Sequence, residues 1–489
     1  MASVATRARR RLSNAQRRRR KQRQARKARA ARRRLEARLM HLPQPARGLF
    51  GALAGAFTQP TSLRAAVLAL GALLTVGGRT VCNVLRTLGA LAPGHPSSYH
   101  RVLSRRAWSG LGVARALAAL VLRWLAPQGP VLVAGDDTVT EHPGGHVHGN
   151  GCHRDPVRSS RSYTAWRWGH KWLVLAILVP LPFCRRRWAL PVLAALYRPP
   201  AVDRRQGRRH KTPVDLLRQL LLLLLRWFPD RRFVCVADGG YASHDLARLG
   251  ARCGGRLSFV SRFFADAHLR APVAPPPAGV KRRGRPPQKG PKLPTPAEAV
   301  AAAPKGRRLE VAWYGGQRRA VEVVSGRGLW YRAGRALVPV CWVFVRDRLG
   351  SPRDEYFFST DVGMSPQALI ETYTARWNLE TTFEEVRAYL GVETTRGRSA
   401  QTVQRAEPCL FGLYSVVALL YTRLPPAARR QRAVDWVGKG TVAFSDALAA
   451  VRRWLWQDWV LSQPELGAAF AELPARLRQV LLRGLAPAA

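Results

Sequence analysis

Two apolar runs that each end in acid constrain this chain more than any other feature. PVLVAGDDTV (130–139) and RRFVCVADGG (231–240) are short, rich in Val and bounded by turn residues, so both read as strands. Neither alternates polar with apolar, as a half-exposed strand would, and strands apolar throughout fit a sheet covered on both faces. HKWLVLAILVPL (170–181) and RRWALPVLAALY (186–197) read as two further strands. A Leu-rich helix is expected over 212–228, stopped by Pro229, then a helix over 244–252 and a strand over 256–263. The order β-β-β-α-β-α-β is that of a mixed α/β sheet, with Asp136 and Asp238 at the ends of the first and fourth strands.

A third acid comes from ETYTARWNLETTFEEVRAYLG (371–391), which has no Pro and whose only Gly ends it, and so reads as one helix of about five turns. At 100° per residue, Tyr373, Arg376, Glu380 and Arg387 fall within about 60° of one another. Leu379, Phe383, Val386 and Leu390 form an apolar flank for docking on a core. A solvated face of ion pairs three and four residues apart is the ordinary account of such a stripe. The two acids at strand ends upstream offer another. Two Mg²⁺ ions clamping the oxygens of a phosphoryl transfer need carboxylates from adjacent strand ends and a third from a docked helix. Asp136, Asp238 and Glu380 meet that need, and Thr138 lies on the same strand face as Asp136, where its hydroxyl is placed to support that carboxylate. Asp137 competes with Asp136, and Glu384, within the same arc, with Glu380; the Asp-x-Thr and Tyr/Arg spacings of the family resembled below favour Asp136 and Glu380.

The flanks speak for a polyanionic partner. Lys and Arg number 81 against 29 acids, a net charge of +52, which self-repulsion makes hard to hold without nucleic acid or a similar partner. Only Arg is abundant, so genome composition has a share in the excess. Residues 1–40 carry seventeen Lys or Arg and one acid, Glu36, and cannot bury a core; they read as a DNA-binding arm that gains from counterion release. Residues 45–127 have helical spacing, and SSYHRVLSRRAWS (97–109) has the size and basicity of a DNA-recognition helix. KRRGRPP (281–287) resembles a hook that enters A·T-rich minor grooves. Residues 308–359 alternate apolar and polar as a small antiparallel insertion, and 401–489 is a helical tail. The seven Cys show no CxxC pairing, which fits a reduced compartment. His146, His148, Cys152 and His153 share one Gly-rich loop with no second ligand pair at zinc-finger spacing. No apolar run reaches the length of a membrane span.

Taken in order, Asp136-Asp137-Thr138, then Asp238-Gly239-Gly240-Tyr241, then Tyr373, Arg376, Glu380 and Arg387 resemble the signature of DDE transposases of bacterial insertion sequences. These belong to the ribonuclease-H/retroviral-integrase superfamily, in a subgroup marked by Tyr-x2-Arg-x3-Glu-x6-Lys/Arg. GHKW (169–172) and GRPPQKG (284–290) are also familiar there. The resemblance covers about residues 130–400 and departs at Arg387, where Lys is common. It implies a ribonuclease-H-like mixed sheet with flanking helices, interrupted by a β-rich insertion, with an N-terminal helical module and a helical C-terminal tail. The divisions are 1–40 (basic arm), 41–129 (helical DNA-binding module), 130–264 (catalytic domain, first part), 265–359 (basic linker and insertion), 360–425 (final catalytic helices) and 426–489 (helical C-terminal region). It further implies that Asp136, Asp238 and Glu380 hold Mg²⁺, with Mn²⁺ as substitute, and that Tyr373, Arg376 and Arg387 grip phosphates of the transposon end. Partners would be double-stranded DNA and a second copy in a synaptic dimer, and the location cytoplasmic, on the bacterial nucleoid. Some relatives stack an insertion-domain Trp on a flipped base, for which Trp313 and Trp330 are candidates. The alternative is a catalytically silent, transposase-derived DNA-binding protein; a ribonuclease of similar fold is disfavoured by the insertion and the Tyr/Arg stripe.

Overall fold

The computed structural model describes residues 39–155, 158–160, 162–274, 287–303, 305–346, 354–430 and 438–487, with isolated positions between 19 and 30. The expected arm (1–40) and the KRRGRPP hook (281–287) lie almost wholly outside the described residues.

Five helices open the described chain: α1 (Gln44–Leu53), α2 (Gln59–Leu74), α3 (Val81–Leu88), α4 (Pro96–Ser104) and α5 (Gly110–Leu125). The candidate recognition segment spans α4, which turns Tyr99 and Val102 into the core. Its end is pinned by Arg405, which donates to the carbonyls of Val102 (3.3 Å) and Leu103 (3.2 Å) and lies over the Trp108 ring.

The sheet begins with β1 (Val131–Glu141), β2 (Gly151–Arg154), β3 (Trp166–Val179) and β4 (Trp188–Tyr197). After α6 (Pro200–Arg205) come α7 (Pro213–Trp227), β5 (Phe233–Ala237), α8 (His244–Arg252) and β6 (Leu257–Arg262). α7 starts where Thr212 and Asp215 cap each other's backbone amides reciprocally, with Pro213 as its first residue. β4 pairs antiparallel with β3 and β3 antiparallel with β1, whereas β5 runs parallel to β1 and β6 parallel to β5. The strands thus lie in the order β4-β3-β1-β5-β6.

Later strands extend this sheet instead of forming a small one of their own. They are β7 (Leu269–Arg270), β8 (Lys292–Leu293), β9 (Arg307–Ala312), β10 (Arg318–Trp330), β11 (Val338–Arg346) and β12 (Glu355–Ser359), with α9 (Pro296–Ala302) between β8 and β9. β12 pairs with β6, β11 with β12 and β10 with β11, all antiparallel. Aromatic packing holds the seam, with Phe358 5.0 Å from Phe263 and 5.3 Å from Trp330 between ring centroids. Trp330 is therefore a core residue, while Trp313 is half-buried against Tyr314.

The rest is helical: α10 (Pro366–Ala375), α11 (Trp377–Leu390), α12 (Ala400–Arg423), α13 (Pro426–Arg430), α14 (Phe444–Leu455), α15 (Pro464–Glu472) and α16 (Ala475–Leu485). Helices cover both faces, and β1 shows how. Successive side chains of a strand alternate, and Leu217 of α7 lies so close over Gly135 that an added Cβ would meet it at 2.5 Å. Asp136, Thr138 and Thr140 point the opposite way, toward α10, α11 and α12. Among the described residues no helix is long and apolar enough to cross a membrane.

Candidate active site

β1 reaches five residues beyond Asp136, because its antiparallel pairing with β3 continues to Glu141 opposite Gly169. Asp136 is thus mid-strand rather than terminal. Its parallel pairing with β5, however, ends at Gly135 opposite Ala237. Asp136 and Asp238 are the next residue on each strand, so the parallel register brings them side by side.

The expected single helix over 371–391 is two, α10 and α11, joined at Arg376. Arg376 keeps right-handed helical angles, but its N–H bonds to the Tyr373 carbonyl and its own carbonyl accepts from Leu379, three residues away in each case. The cause is local. The Asn378 side chain donates to the Ala375 carbonyl at 2.8 Å, entering the backbone ladder. The apolar flank docks as its spacing requires: Leu379, Phe383, Val386 and Leu390 are all buried, each contributing about 1.5–3 kcal/mol.

Docking α11 on β1 drives Arg376 into the acids. Its Nη1 lies 2.7 Å from Asp136 Oδ2 and 2.7 Å from Glu380 Oε1, and its Nη2 is 3.8 Å from Asp238 Oδ1. All three acids therefore converge on one buried cationic group. Burial pushes the Asp136 carboxyl up to about 7, against the pull of Arg376 and with the push of Asp137. Burial likewise raises Glu380, despite Arg376. Arg376 is raised further above the ordinary arginine range, since Asp136, Tyr373 and Glu380 outweigh its own desolvation.

Asp137 faces elsewhere. Tyr241 donates to its Oδ2 at 2.6 Å and Lys171 Nζ lies 2.8 Å from its Oδ1, so its carboxylate is engaged away from the other acids. Glu384 is absent from the Arg376 cluster, and Glu385 is taken by Arg186 (2.8 Å) and Tyr414 (2.7 Å).

The expected phosphate grip faces inward. Tyr373 is buried, stacked 4.1 Å from Phe357; it donates to Asp238 (3.2 Å) and accepts from Arg262 (3.0 Å). Arg387 donates to the Thr138 hydroxyl and to the Val139 carbonyl (3.1 Å), with Glu393 at 3.4 Å. Thr138 thus supports Arg387, not the Asp136 carboxylate. Arg262 and Lys171 are site residues that spacing did not single out. Lys171 had a signal in the GHKW segment; Arg262 ends β6 in a run with no distinguishing pattern.

A second polar centre was also missed. Glu407 of α12 is fully buried and accepts from Thr140 (2.7 Å) and Trp172 (2.5 Å) through one oxygen, and meets His170 (2.6 Å) and His142 (3.2 Å) through the other. Burial alone would raise its carboxyl, but the His142 and His170 rings beside it hold it down at about 2. The loop set His146, His148, Cys152 and His153 does not converge as a metal-binding group among the described residues.

Carboxylates from two parallel strands and a docked helix, converging on a cation within a helix-covered mixed sheet, define the class of site. The chain matches the family model for the DDE superfamily endonucleases over residues 52–320, more than half its length, and belongs to that family. The matched span includes Asp136 and Asp238 and stops before Glu380. No curated protein matches the chain. Among solved structures it is similar to the piggyBac transposase in a cryo-EM synaptic complex with hairpin DNA, at 9% identity and a TM-score of 0.37, over 87% of this chain and 76% of that one.

Proposed function

We propose that the chain is a DDE transposase of the bacterial insertion-sequence type, cutting element ends and joining them to target DNA. The observation that carries this reading is the convergence of Asp136, Asp238 and Glu380 on the Arg376 guanidinium. A site built to surround a cation with carboxylate oxygens fits hard divalent ions of the Mg²⁺ class. Asp136 Oδ2 and Glu380 Oε1 each lie 2.7 Å from the same nitrogen, so both carboxylates are directed at one cationic position. Asp136, Asp238 and Glu380 would hold two Mg²⁺, which supply charge neutralisation at the phosphate and a more acidic water or 3′-hydroxyl.

The chain's own groups have separable tasks. Tyr373 orients Asp238, and Arg262 orients Tyr373. Arg376 neutralises the acids, and near DNA a phosphate would compete for its guanidinium, matching the bidentate geometry Arg offers. Arg387 fixes Thr138. The strand order β4-β3-β1-β5-β6, antiparallel only through β3, supports a ribonuclease-H-like core for 130–264 and 360–425, with 265–359 inserted. The net charge of +52 supports double-stranded DNA as partner, and the need to hold two ends supports a homodimer acting in the cytoplasm on the nucleoid. An intact acid triad disfavours a silent DNA-binding derivative. The test is Asp238→Asn in a gel assay: cleavage and strand transfer should both be lost while end binding persists. Normal strand transfer by that variant overturns the proposal.

A further inference from the structure

The Glu407 centre lies outside the site just described. Thr140, which donates to it, stands four residues beyond Asp136 on β1, about 13 Å along the strand. His142, His170 and Glu407 come from the end of β1, from β3 and from α12, and all three are buried. His142 Nε2, His170 Nδ1 and a Glu407 oxygen lie within 4.8 Å of one another.

Counting protons shows what hydrogen bonds alone leave unresolved. His170 directs Nδ1 at the Glu407 carboxylate (2.6 Å) and Nε2 at the His148 carbonyl (3.0 Å). A carbonyl and an ionised carboxylate bring no proton, so to satisfy both contacts the ring would need a proton on each nitrogen. His142 Nε2 stands 3.2 Å from the same carboxylate oxygen, yet makes no hydrogen bond by geometry although the ring is buried. A buried donor without a partner costs about 1–3 kcal/mol. A divalent cation among the three atoms removes both difficulties. Both rings become neutral, with lone pairs from His142 Nε2, His170 Nδ1 and Glu407 Oε1 directed at the ion.

The surroundings are those of a metal centre. A ligating His ordinarily donates its other ring N–H to a carbonyl or carboxylate, and a ligating carboxylate is itself hydrogen-bonded. His170 Nε2 meets the His148 carbonyl, and the second Glu407 oxygen accepts from Thr140 and Trp172. Two imidazoles and one carboxylate suit zinc and its neighbours rather than Mg²⁺. Ligands about 2.0–2.2 Å from zinc stand about 3.3 Å apart in tetrahedral geometry. His170 therefore needs to draw back from Glu407 by less than an ångström.

We infer that His142, His170 and Glu407 form a structural zinc-class site that staples the end of β1 and β3 to α12, separate from the Asp136/Asp238/Glu380 triad. The inference does not depend on the transposase reading. The test uses the full chain purified without chelators, its metal content measured by plasma mass spectrometry, followed by Co²⁺ titration of the stripped protein. One zinc per chain and the visible bands of four-coordinate Co²⁺ are expected. His142→Ala should reduce zinc to background. His142→Cys, which restores a zinc ligand, should keep it and so controls for folding. Trp172→Phe removes one donor to Glu407 and should weaken Co²⁺ binding about 10–100-fold. The triple variant Asp136→Asn, Asp238→Asn, Glu380→Gln should retain its zinc. Absence of stoichiometric zinc and of Co²⁺ bands in the folded wild-type chain overturns the inference, as does ¹⁵N NMR showing His170 doubly protonated. Loss of zinc in the triple variant overturns the separateness of the site.

Discussion

Replacing Arg376 by Gln tests whether this guanidinium occupies the place of a metal ion. Gln is uncharged and shorter, so Asp136, Glu380 and Asp238 would face one another with no counter-charge. Removing one partner of a buried ion pair costs about 3–5 kcal/mol. The full cost does not apply here, because Glu380 and Asp238 keep side-chain exposures of 32% and 46% and water relieves part of their repulsion. About 2–3 kcal/mol of destabilisation is expected in EDTA. Divalent ions should reverse it. A ligand that binds only the folded chain stabilises by about 2.7 kcal/mol at one hundred times its dissociation constant. At about 2 °C per kcal/mol for a chain of this size, Mg²⁺ should raise the melting temperature of the variant by about 5 °C. In the wild-type chain Arg376 already neutralises the acids, so the same Mg²⁺ should shift melting much less, and DNA should enlarge the shift by drawing the guanidinium to a phosphate. Differential scanning calorimetry with and without Mg²⁺ reads this directly. Equal Mg²⁺ shifts in wild type and variant would refute the reasoning, whatever the variant's catalytic activity.

Further outcomes follow from other contacts. Asp136 has its carboxyl raised to about 7, so two pH effects of opposite sign are expected. The folded chain holds this proton more tightly than the unfolded chain, so the contribution to stability is present at low pH and is lost as pH rises toward 7. Metal binding needs the anion, and Mg²⁺ affinity measured by calorimetry should fall about tenfold per unit as pH drops below 7. Gly169 allows β3 to pass the Thr140 carbonyl, which a Cβ would meet at 1.9 Å; Gly169→Ala should destabilise by about 1–3 kcal/mol or more in denaturant melts. Deleting residues 1–38 should lower the slope of log affinity for DNA against log salt by about 0.9 for each Lys or Arg that contacts phosphate. An unchanged slope would remove the arm from the DNA interface.

The strands and their acids were legible because their chemistry is local. A run such as VLVAGD or FVCVAD names both a buried strand and the place where burial stops, and parallel pairing of β1 with β5 then makes Asp136 and Asp238 neighbours. The stripe Tyr373, Arg376, Glu380 and Arg387 was legible as a direction, since helical spacing fixes an arc. Depth was not: periodicity cannot tell that docking α11 puts Arg376 beneath the acids instead of above them, ready for phosphate. Nor could it find the break at Arg376, which follows from one Asn378 side chain reaching a carbonyl.

The Glu407 centre was harder still, because His170 and Glu407 are 237 residues apart. A signal existed all the same. AEPCLFGLYSVVALL, spanning 406–420, is an apolar helix with one acid, and an acid on a buried helix face needs partners of its own. The GHKW segment supplies two of them, His170 and Trp172. The face of β1 that carries Asp136 continues through Thr138, held by Arg387, to Thr140, held by Glu407. Each polar side chain on that face is thus met by a charged group from a helix far along the chain. β1 is therefore tied to the helices at three successive positions of that face, Asp136, Thr138 and Thr140.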